Sequence, residues 1–211
     1  MPSDRARSSR RLVAAFAFAA LLAAFAPPAA AKVYLSRSEA LAWAFPDADR
    51  IDPRTVVLSD AQAEAVESRA KAKLESRIVK LYTAHRDGAV AGYAFIDIHT
   101  VRTQPEAFLV VLTPDGIVRT LRVLAFYEPA EYLPPDRWLA QFDRRALDEQ
   151  TRIGGAIHGI AGSTLSARAV TGGVRRSLAL YQVLVRGEAA AAPSVGAAPA
   201  PHAAAVPGAG H

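Results

Sequence analysis

Three hydroxyl groups stand close together in the second half of the chain, where a turn precedes a predicted helix. Ser163, Thr164 and Ser166 follow Gly162, and Gly159 lies a little further upstream. A serine or threonine at the start of a helix can cap its first free N–H groups. The same N–H groups and the positive end of the helix dipole can instead bind an anion such as a phosphate. The pattern therefore allows either role, and taken alone it favours capping.

The helix that follows this turn is predicted from apolar residues that recur every three or four positions. They are Val170, Val174, Leu178 and Tyr181. This spacing predicts a long helix over residues 165–185 with one buried face. Arg168 lies one turn into the helix, where its guanidinium could reach an anion at the N-terminus or point into solvent.

The turn resembles the flavinylation motif Ser/Thr-Gly-Ala-Thr of the FMN-binding domain family. That family includes the G subunit of the Rnf complex and the C subunit of the sodium-pumping NADH:quinone reductase. The four positions here are Ala161, Gly162, Ser163 and Thr164. Ala161 replaces the first hydroxyl, Ser163 replaces alanine, and His158 stands where an acidic residue is usual. In the family FMN is joined to the final threonine by a phosphoester bond, so the resemblance implies attachment at Thr164.

A second stretch, after the predicted hairpins, resembles the same family. Its members carry a His-x-Glu-Thr-Pro-like loop against the flavin, and Glu128 and Pro129 occupy the matching positions here, without the threonine. The resemblance implies that Glu128 accepts hydrogen bonds from the cofactor and that Tyr127 or Tyr132 covers its rings. It also implies that the N–H groups of residues 162–165, the last being Leu165, bind the phosphate. Without the resemblance, residues 127–132 would indicate a polar connection over the sheet.

The function implied by the resemblance is that of an exported flavoprotein that carries FMN and transfers electrons between partner proteins, either soluble or membrane-bound. A separate flavin transferase that uses FAD would attach the cofactor, and this chain would be its substrate. The alternative is an accessory module with a degenerate motif that binds flavin noncovalently or not at all. A serine hydrolase is a third class, but the Gly-x-Ser-x-Gly pattern is absent around Ser163.

Composition narrows the remaining classes of function. The chain of 211 residues has no cysteine, which excludes disulfides, cysteine-ligated metals and thiol nucleophiles. Residues 1–31 contribute much of the net charge of +5, so the rest is nearly balanced and gives no electrostatic case for nucleic acid. Neither the acidic stretch 47–53 nor the histidines have the spacing of metal ligands.

Both ends of the chain differ from its middle. Residues 1–31 combine an arginine-rich start, an apolar run from Leu12 to Ala26 and a small-residue site ending at Ala31, which is typical of a cleaved secretory signal peptide. An uncleaved N-terminal membrane anchor is the alternative. Residues 187–211 are rich in Ala, Pro and Gly, which predicts a disordered tail. We therefore expect a periplasmic protein with a single FMN-binding-type domain over residues 32–186.

The middle of the chain indicates an α+β fold. Besides 165–185, helices are predicted over residues 36–46, with Ser36 or Ser38 as its cap, over 60–74, with Ser59 as its cap, and over 134–142. Strands are predicted over residues 77–84, 88–99, 106–112 and 117–124, with residues 86–88 as the turn between the first two. We expect residues 47–53 to form a polar turn and residues 55–58 a short extended run. The prediction is a small antiparallel β-sheet of about four strands, with helices packed on one face.

Overall fold

The computed structural model describes residues 32–101 and 103–187, and its centre is a six-stranded antiparallel sheet of order β1-β6-β5-β4-β3-β2. The strands are β1 (Lys32–Val33), β2 (Arg50–Val57), β3 (Ile78–Arg86), β4 (Ala89–Val101), β5 (Gln104–Leu112) and β6 (Val118–Phe126). The helices are α1 (Arg37–Ala44), α2 (Asp60–Ala70), α3 (Asp136–Leu139) and α4 (Thr164–Tyr181). Two 3₁₀ turns (Ala130–Tyr132 and Ala140–Phe142) and a π-helical continuation of α4 (Gln182–Arg186) complete the elements.

The predicted fold class, an antiparallel sheet packed with helices, is confirmed. The sheet has more strands than expected because β1 and β2 are added at its two edges. The predicted signal peptide lies outside the described residues, as does all but the first residue of the predicted tail. Among the described helices, none is long and apolar enough to cross a membrane.

The prediction of a turn over residues 47–53 is wrong for its second half. Residues from Arg50 onward belong to β2, which pairs antiparallel with β3 from Arg50↔His85 to Val57↔Ile78. This strand forms the edge of the sheet, where Pro53 can be accommodated because one side of the strand needs no hydrogen-bonded neighbour. Its charged residues and its proline suit such an edge, and they also concealed the strand in the sequence.

Capping boxes determine where the first two helices begin. The Ser36 hydroxyl accepts a hydrogen bond from the Glu39 N–H (3.3 Å), and the Glu39 carboxylate accepts one from the Ser36 N–H (2.8 Å). Ser59 and Gln62 form the same reciprocal pair at the start of α2. Each pair satisfies two backbone donors that a helix start leaves unpaired, so both predicted helix starts are confirmed.

Helices cover both faces of the sheet, rather than the one face that we expected. α1 packs against an apolar cluster that includes Leu109 and Val111, whereas α2, α3 and α4 pack against the cluster that includes Val110 and Leu112. Side chains alternate along β5, and all four of these are buried. A strand that is apolar on both sides requires cover on both sides, which α1 provides on the second face.

α4 lies directly on β4 and positions the candidate site at its own N-terminus. Gly173 makes this close approach possible, because a Cβ built there would lie 2.5 Å from the Asp97 carboxylate oxygen. The N-terminal end of α4 reaches the end of β4 near Val101, while Arg176 in its second half contacts Asp97. The helix therefore spans the sheet from the flavinylation-like turn to the middle of β4.

Candidate functional site

The flavinylation-like turn leads directly into α4. Gly162 has φ of +80°, a left-handed conformation that glycine adopts without strain, and a Cβ there would meet no atom within 4 Å. α4 begins at Thr164, whose side chain is exposed. The turn thus places the candidate attachment hydroxyl at the mouth of a long helix, accessible from outside.

A cleft of about 170 Å³ lies at this end of the helix. It is lined by residues 162–166 of the turn and first helical positions, together with Val101, Glu128 and Tyr132. The two stretches that resemble the FMN-binding family therefore meet in one place, although Glu128 and Thr164 are far apart in the sequence.

The first turn of α4 keeps backbone donors available to a ligand. Among the described residues, no protein acceptor is found for the N–H groups of Thr164, Leu165 and Ser166. The N–H of Ser163 is different, because it donates to the Ile160 carbonyl at 3.1 Å. It is therefore not available to bind a phosphate, although the resemblance implied that it would be. Three N–H groups at the positive end of an 18-residue helix suit a phosphate.

The expected capping of this helix by a hydroxyl is not observed. Ser163 occupies the cap position, but no side chain there accepts a hydrogen bond from the first turn. The buried Ser163 hydroxyl donates to the Glu131 carbonyl at 3.4 Å instead. No side chain therefore caps this turn, and its first N–H groups remain open to an anion or to solvent.

Four other residues predicted from the sequence lie near the cleft but do not line it. Arg168 is exposed on the first part of α4, and Ala161 is exposed beside the turn. Tyr127 and Pro129 flank Glu128 but do not reach the cleft, whereas Tyr132 does. Arg168 therefore points into solvent, one of the two orientations that the sequence allowed.

Glu128 has a structural role in addition to its place in the cleft. One of its carboxylate oxygens accepts hydrogen bonds from the N–H groups of Thr103 (3.3 Å) and Gln104 (3.2 Å), where β4 connects to β5. The cleft is smaller than the ~300 Å³ or more that is usual for enclosed ligand sites. The cleft therefore has room for a phosphate group but is too small to enclose a flavin ring system.

A second group of polar residues, which the sequence analysis missed, lies buried between β4, β5 and α4. The His99 Nδ1 lies 2.6 Å from an Asp97 carboxylate oxygen, and Arg176 donates two hydrogen bonds to the same carboxylate, at 2.7 and 2.9 Å. Glu106, opposite His99 in the β4–β5 register, is fully buried. Its Oε2 lies 3.5 Å from the His99 Nε2, and its oxygens have no hydrogen-bond partner in the described structure.

The contacts within this cluster shift two pKa values in opposite directions. Burial alone would lower the pKa of His99, but the Asp97 and Glu106 carboxylates outweigh it and raise the pKa to about 9. Burial alone would raise the pKa of Asp97, but hydrogen bonds from His99 and Arg176 outweigh it and hold the pKa below its ordinary value. His99 is therefore a buried imidazolium at neutral pH, held between two carboxylates.

The Asp97–Arg176 pair also borders a larger cavity of about 670 Å³ between β3 and β4. None of the residues predicted from the sequence as a flavin site lies there. The described residues contain no group of three or more His, Asp or Glu side chains arranged to hold a metal ion.

These two places, the motif cleft and the cavity beside Asp97, are the candidate sites that the geometry supports. A search of protein-family models finds no match to this chain, and no curated protein has a significantly similar sequence.

Proposed function

We propose that the protein is an exported flavoprotein that carries FMN on Thr164 through a phosphoester bond and transfers electrons between partner proteins. The observation that carries the proposal is the position of Thr164. Its side chain is exposed, it lines a cleft, and it stands on a helix N-terminus whose first-turn N–H groups are unpaired in the described structure.

The residues of the cleft would hold the two parts of FMN differently. The phosphate would be bound by the N–H groups of Thr164, Leu165 and Ser166, whose partial positive charges offset its negative charge. Tyr132 and the apolar Leu165 side chain would contact the ring system. FMN supplies one- and two-electron redox chemistry when bound, while the protein tethers and orients it.

Attachment requires a partner enzyme, a flavin transferase that uses FAD. The new bond forms between the Thr164 Oγ and the FMN phosphorus, the pyrophosphate bond of FAD breaks, and AMP leaves. The hydroxyl proton must pass to a base of the transferase or to solvent. A covalent link suits an exported protein, because a flavin lost outside the cytoplasm is not easily recovered. The proposed location is the periplasm, with N-terminal membrane anchoring as the alternative.

The proposal is tested by producing the exported chain together with a flavin transferase and measuring the intact mass after acid denaturation. We expect a mass increase of one FMN less one water, with flavin fluorescence on the peptide that contains Thr164. Thr164→Ala should abolish both signals. Ser163→Ala and Ser166→Ala, which remove neighbouring hydroxyls of the same cleft, should retain them. Circular dichroism should show that all three variants are folded.

The alternative function is an accessory module that binds flavin noncovalently or not at all. The small cleft and the use of Glu128 in two backbone hydrogen bonds favour it. Wild-type protein that carries no covalent flavin after production with an active transferase would contradict the carrier proposal. Titration of that protein with free FMN would then separate noncovalent binding from no binding.

A further inference from the structure

β3 and β4 separate at one end, where the first three residues of β3 and the last six of β4 do not pair with each other. They pair from Arg86↔Ala89 only as far as Leu81↔Phe95. Beyond that point β3 continues along β2 to Ile78, and β4 continues along β5 to Val101. The cavity of about 670 Å³ occupies this separation, and we call it the interstrand pocket.

The interstrand pocket reaches both faces of the sheet. Consecutive residues of β3 (78–80) and of β4 (95–98) line it, and consecutive side chains of a strand point to opposite faces. Tyr82 borders it on the α1 face, and Leu180 of α4 borders it on the other. The pocket thus extends through the sheet and has the size usual for small-molecule sites, about 300–1,000 Å³.

Exposed aliphatic side chains surround the opening of the pocket. Val33, Ile78 and Ile98 line it and are 61%, 61% and 59% exposed. Exposed apolar residues that occur singly are common, but three around one apolar cavity form a continuous surface from solvent into the protein. Such a surface favours entry of an apolar molecule.

Polar groups at the inner wall restrict what that molecule can be. Arg176 has five N–H donors, of which one bonds the Lys73 carbonyl and two bond Asp97. The remaining donors can serve a ligand oxygen. Arg37, Glu75 and Lys80 also line the pocket, but they are exposed to solvent. At the inner wall the Arg176 charge is already balanced by Asp97, so a charged ligand group there would be desolvated without a counterion. An uncharged acceptor, such as a carbonyl oxygen, can accept a hydrogen bond from the remaining Arg176 donors and brings no charge into the protein.

We propose that the interstrand pocket binds a small, uncharged and mostly apolar molecule whose carbonyl oxygen accepts a hydrogen bond from Arg176. The proposal is independent of the flavin, because the pocket and the cleft share no lining residue. A polypeptide strand inserted between β3 and β4 would lie in the plane of the sheet. The depth of the pocket, from Tyr82 to Leu180, favours a small molecule that penetrates through the sheet.

The test uses the full chain and Nile red, an uncharged fluorescent probe with a ring carbonyl. We expect saturable binding with a blue-shifted emission, and competition by methyl decanoate that is stronger than competition by decanoate. Ile98→Asp places a carboxylate at the opening and should weaken probe binding at least about tenfold. Ile117→Asp is the matched control, because Ile117 is an exposed aliphatic residue of the β5–β6 turn and does not line the pocket, and it should bind as the wild type does.

A second variant addresses the interior of the pocket. Ala107→Phe fills space at the pocket wall and should also weaken binding. Circular dichroism identifies any variant that fails to fold, and Ile98→Asp and Ala107→Phe test the same pocket independently. Equal probe binding in all folded variants, or no saturable binding by the wild type, would overturn the proposal. So would stronger competition by decanoate, or by an extended apolar peptide, than by the methyl ester.

Discussion

His99 is a buried histidine whose contacts keep it charged at a pH where an exposed imidazole is neutral. Its pKa rises from 6.5 to about 9 in the folded protein. A group with a raised folded pKa contributes stability that is fully present below the unfolded pKa and is lost as the pH rises through the folded pKa. His99 therefore contributes on the order of 3 kcal/mol below pH 6.5, and this contribution disappears above pH 9.

The pH dependence of the stability that His99 contributes gives the first prediction. Urea unfolding should show that the wild type loses stability between pH 6.5 and a pH just above 9. His99→Gln should show a much smaller loss over the same interval, whatever its stability at the lower pH. His158→Gln, in which an exposed histidine is replaced, should keep the wild-type loss. An equal loss in His99→Gln and the wild type would contradict the charged state of His99.

Asp97 has the opposite dependence on pH. Its pKa is lowered in the folded state, so its contribution is present above its ordinary value of 3.8 and is lost as the pH falls through the lower folded value. The cluster of Asp97, His99 and Arg176 should therefore be most stabilising between about pH 4 and pH 6.5. A stability profile with its maximum above pH 9 would be inconsistent with this arrangement.

At the scale of the elements, the contact between α4 and β4 depends on the absence of one side chain. A Cβ on Gly173 would lie 2.5 Å from an Asp97 oxygen, whereas a Cβ on Gly172 would lie 3.3 Å from the Arg176 guanidinium. Gly173→Ala must displace the helix or break the Asp97–Arg176 pair. We expect it to lower the free energy of unfolding by about 1–3 kcal/mol.

Gly172→Ala is the matched control in the same turn of α4. It gains helix propensity of about 1 kcal/mol, which offsets its milder crowding. Urea unfolding of the two variants should therefore give clearly different midpoints, with Gly173→Ala the less stable. Equal midpoints would mean that α4 does not require close contact with β4.

The starts of two helices should also respond differently to loss of a hydroxyl. Ser59→Ala removes the cap of α2 and should cost about 1 kcal/mol of stability. Ser163→Ala removes no cap from α4 and only a long hydrogen bond to Glu131, so its cost should be smaller. Thermal unfolding compares the two variants directly. A larger loss in Ser163→Ala would indicate that its hydroxyl caps the helix in solution.

Local signals in the sequence account for most of the elements. The serines predicted two helix starts, with Ser36 or Ser38 as the cap of the first helix and Ser59 as the cap of the second, because capping involves residues only three positions apart. The predicted turn at residues 86–88 identified a hairpin for the same reason, and β3 and β4 pair across it. β2 was missed in part because an edge strand is stabilised by its neighbour β3, which the residues of β2 do not reveal.

Local sequence signals alone could not predict the candidate sites, because the residues of each site are far apart in the chain. The resemblance placed Thr164 and Glu128 near one cofactor, and the structure places them in one cleft. The buried cluster was missed because the predicted strands ended at His99 and began again at Glu106, so no register joined them. β4 and β5 in fact continue to Val101↔Gln104, which sets His99 directly opposite Glu106.

At the scale of the whole molecule, one buried arginine joins three separate segments. Arg175 of α4 donates to the carbonyls of Arg69 and Ala70 at the end of α2, and to those of Asp148 and Thr151 in the connection before α4. The carbonyls at a helix C-terminus lack partners within the helix and carry partial negative charge. Arg175 thus satisfies the end of α2 while fixing the connection that leads to the flavinylation-like turn.

Replacing Arg175 should therefore destabilise the molecule as one unit. Arg175→Lys keeps the charge, but an ammonium group cannot reproduce the planar set of donors that reaches both the end of α2 and the connection before α4. Carbonyls left without partners and a buried charge with fewer hydrogen bonds should together cost on the order of 2–4 kcal/mol. Arg168→Lys, an exposed change in the same helix, should alter stability by less than about 0.5 kcal/mol.

Two probes of urea unfolding can show whether this effect is global. Trp138 of α3 is buried in the apolar cluster on the α4 face of the sheet, and Trp43 lies in α1 on the opposite face, so tryptophan fluorescence reports on both faces. Far-UV circular dichroism reports on the helices and the sheet together. Both signals should shift to the same lower urea midpoint in Arg175→Lys, because both faces share the central sheet and unfold cooperatively. Separate midpoints would show instead that Arg175 holds only a local part of the structure, and the connection to the flavinylation-like turn would then be a unit that opens independently of the sheet.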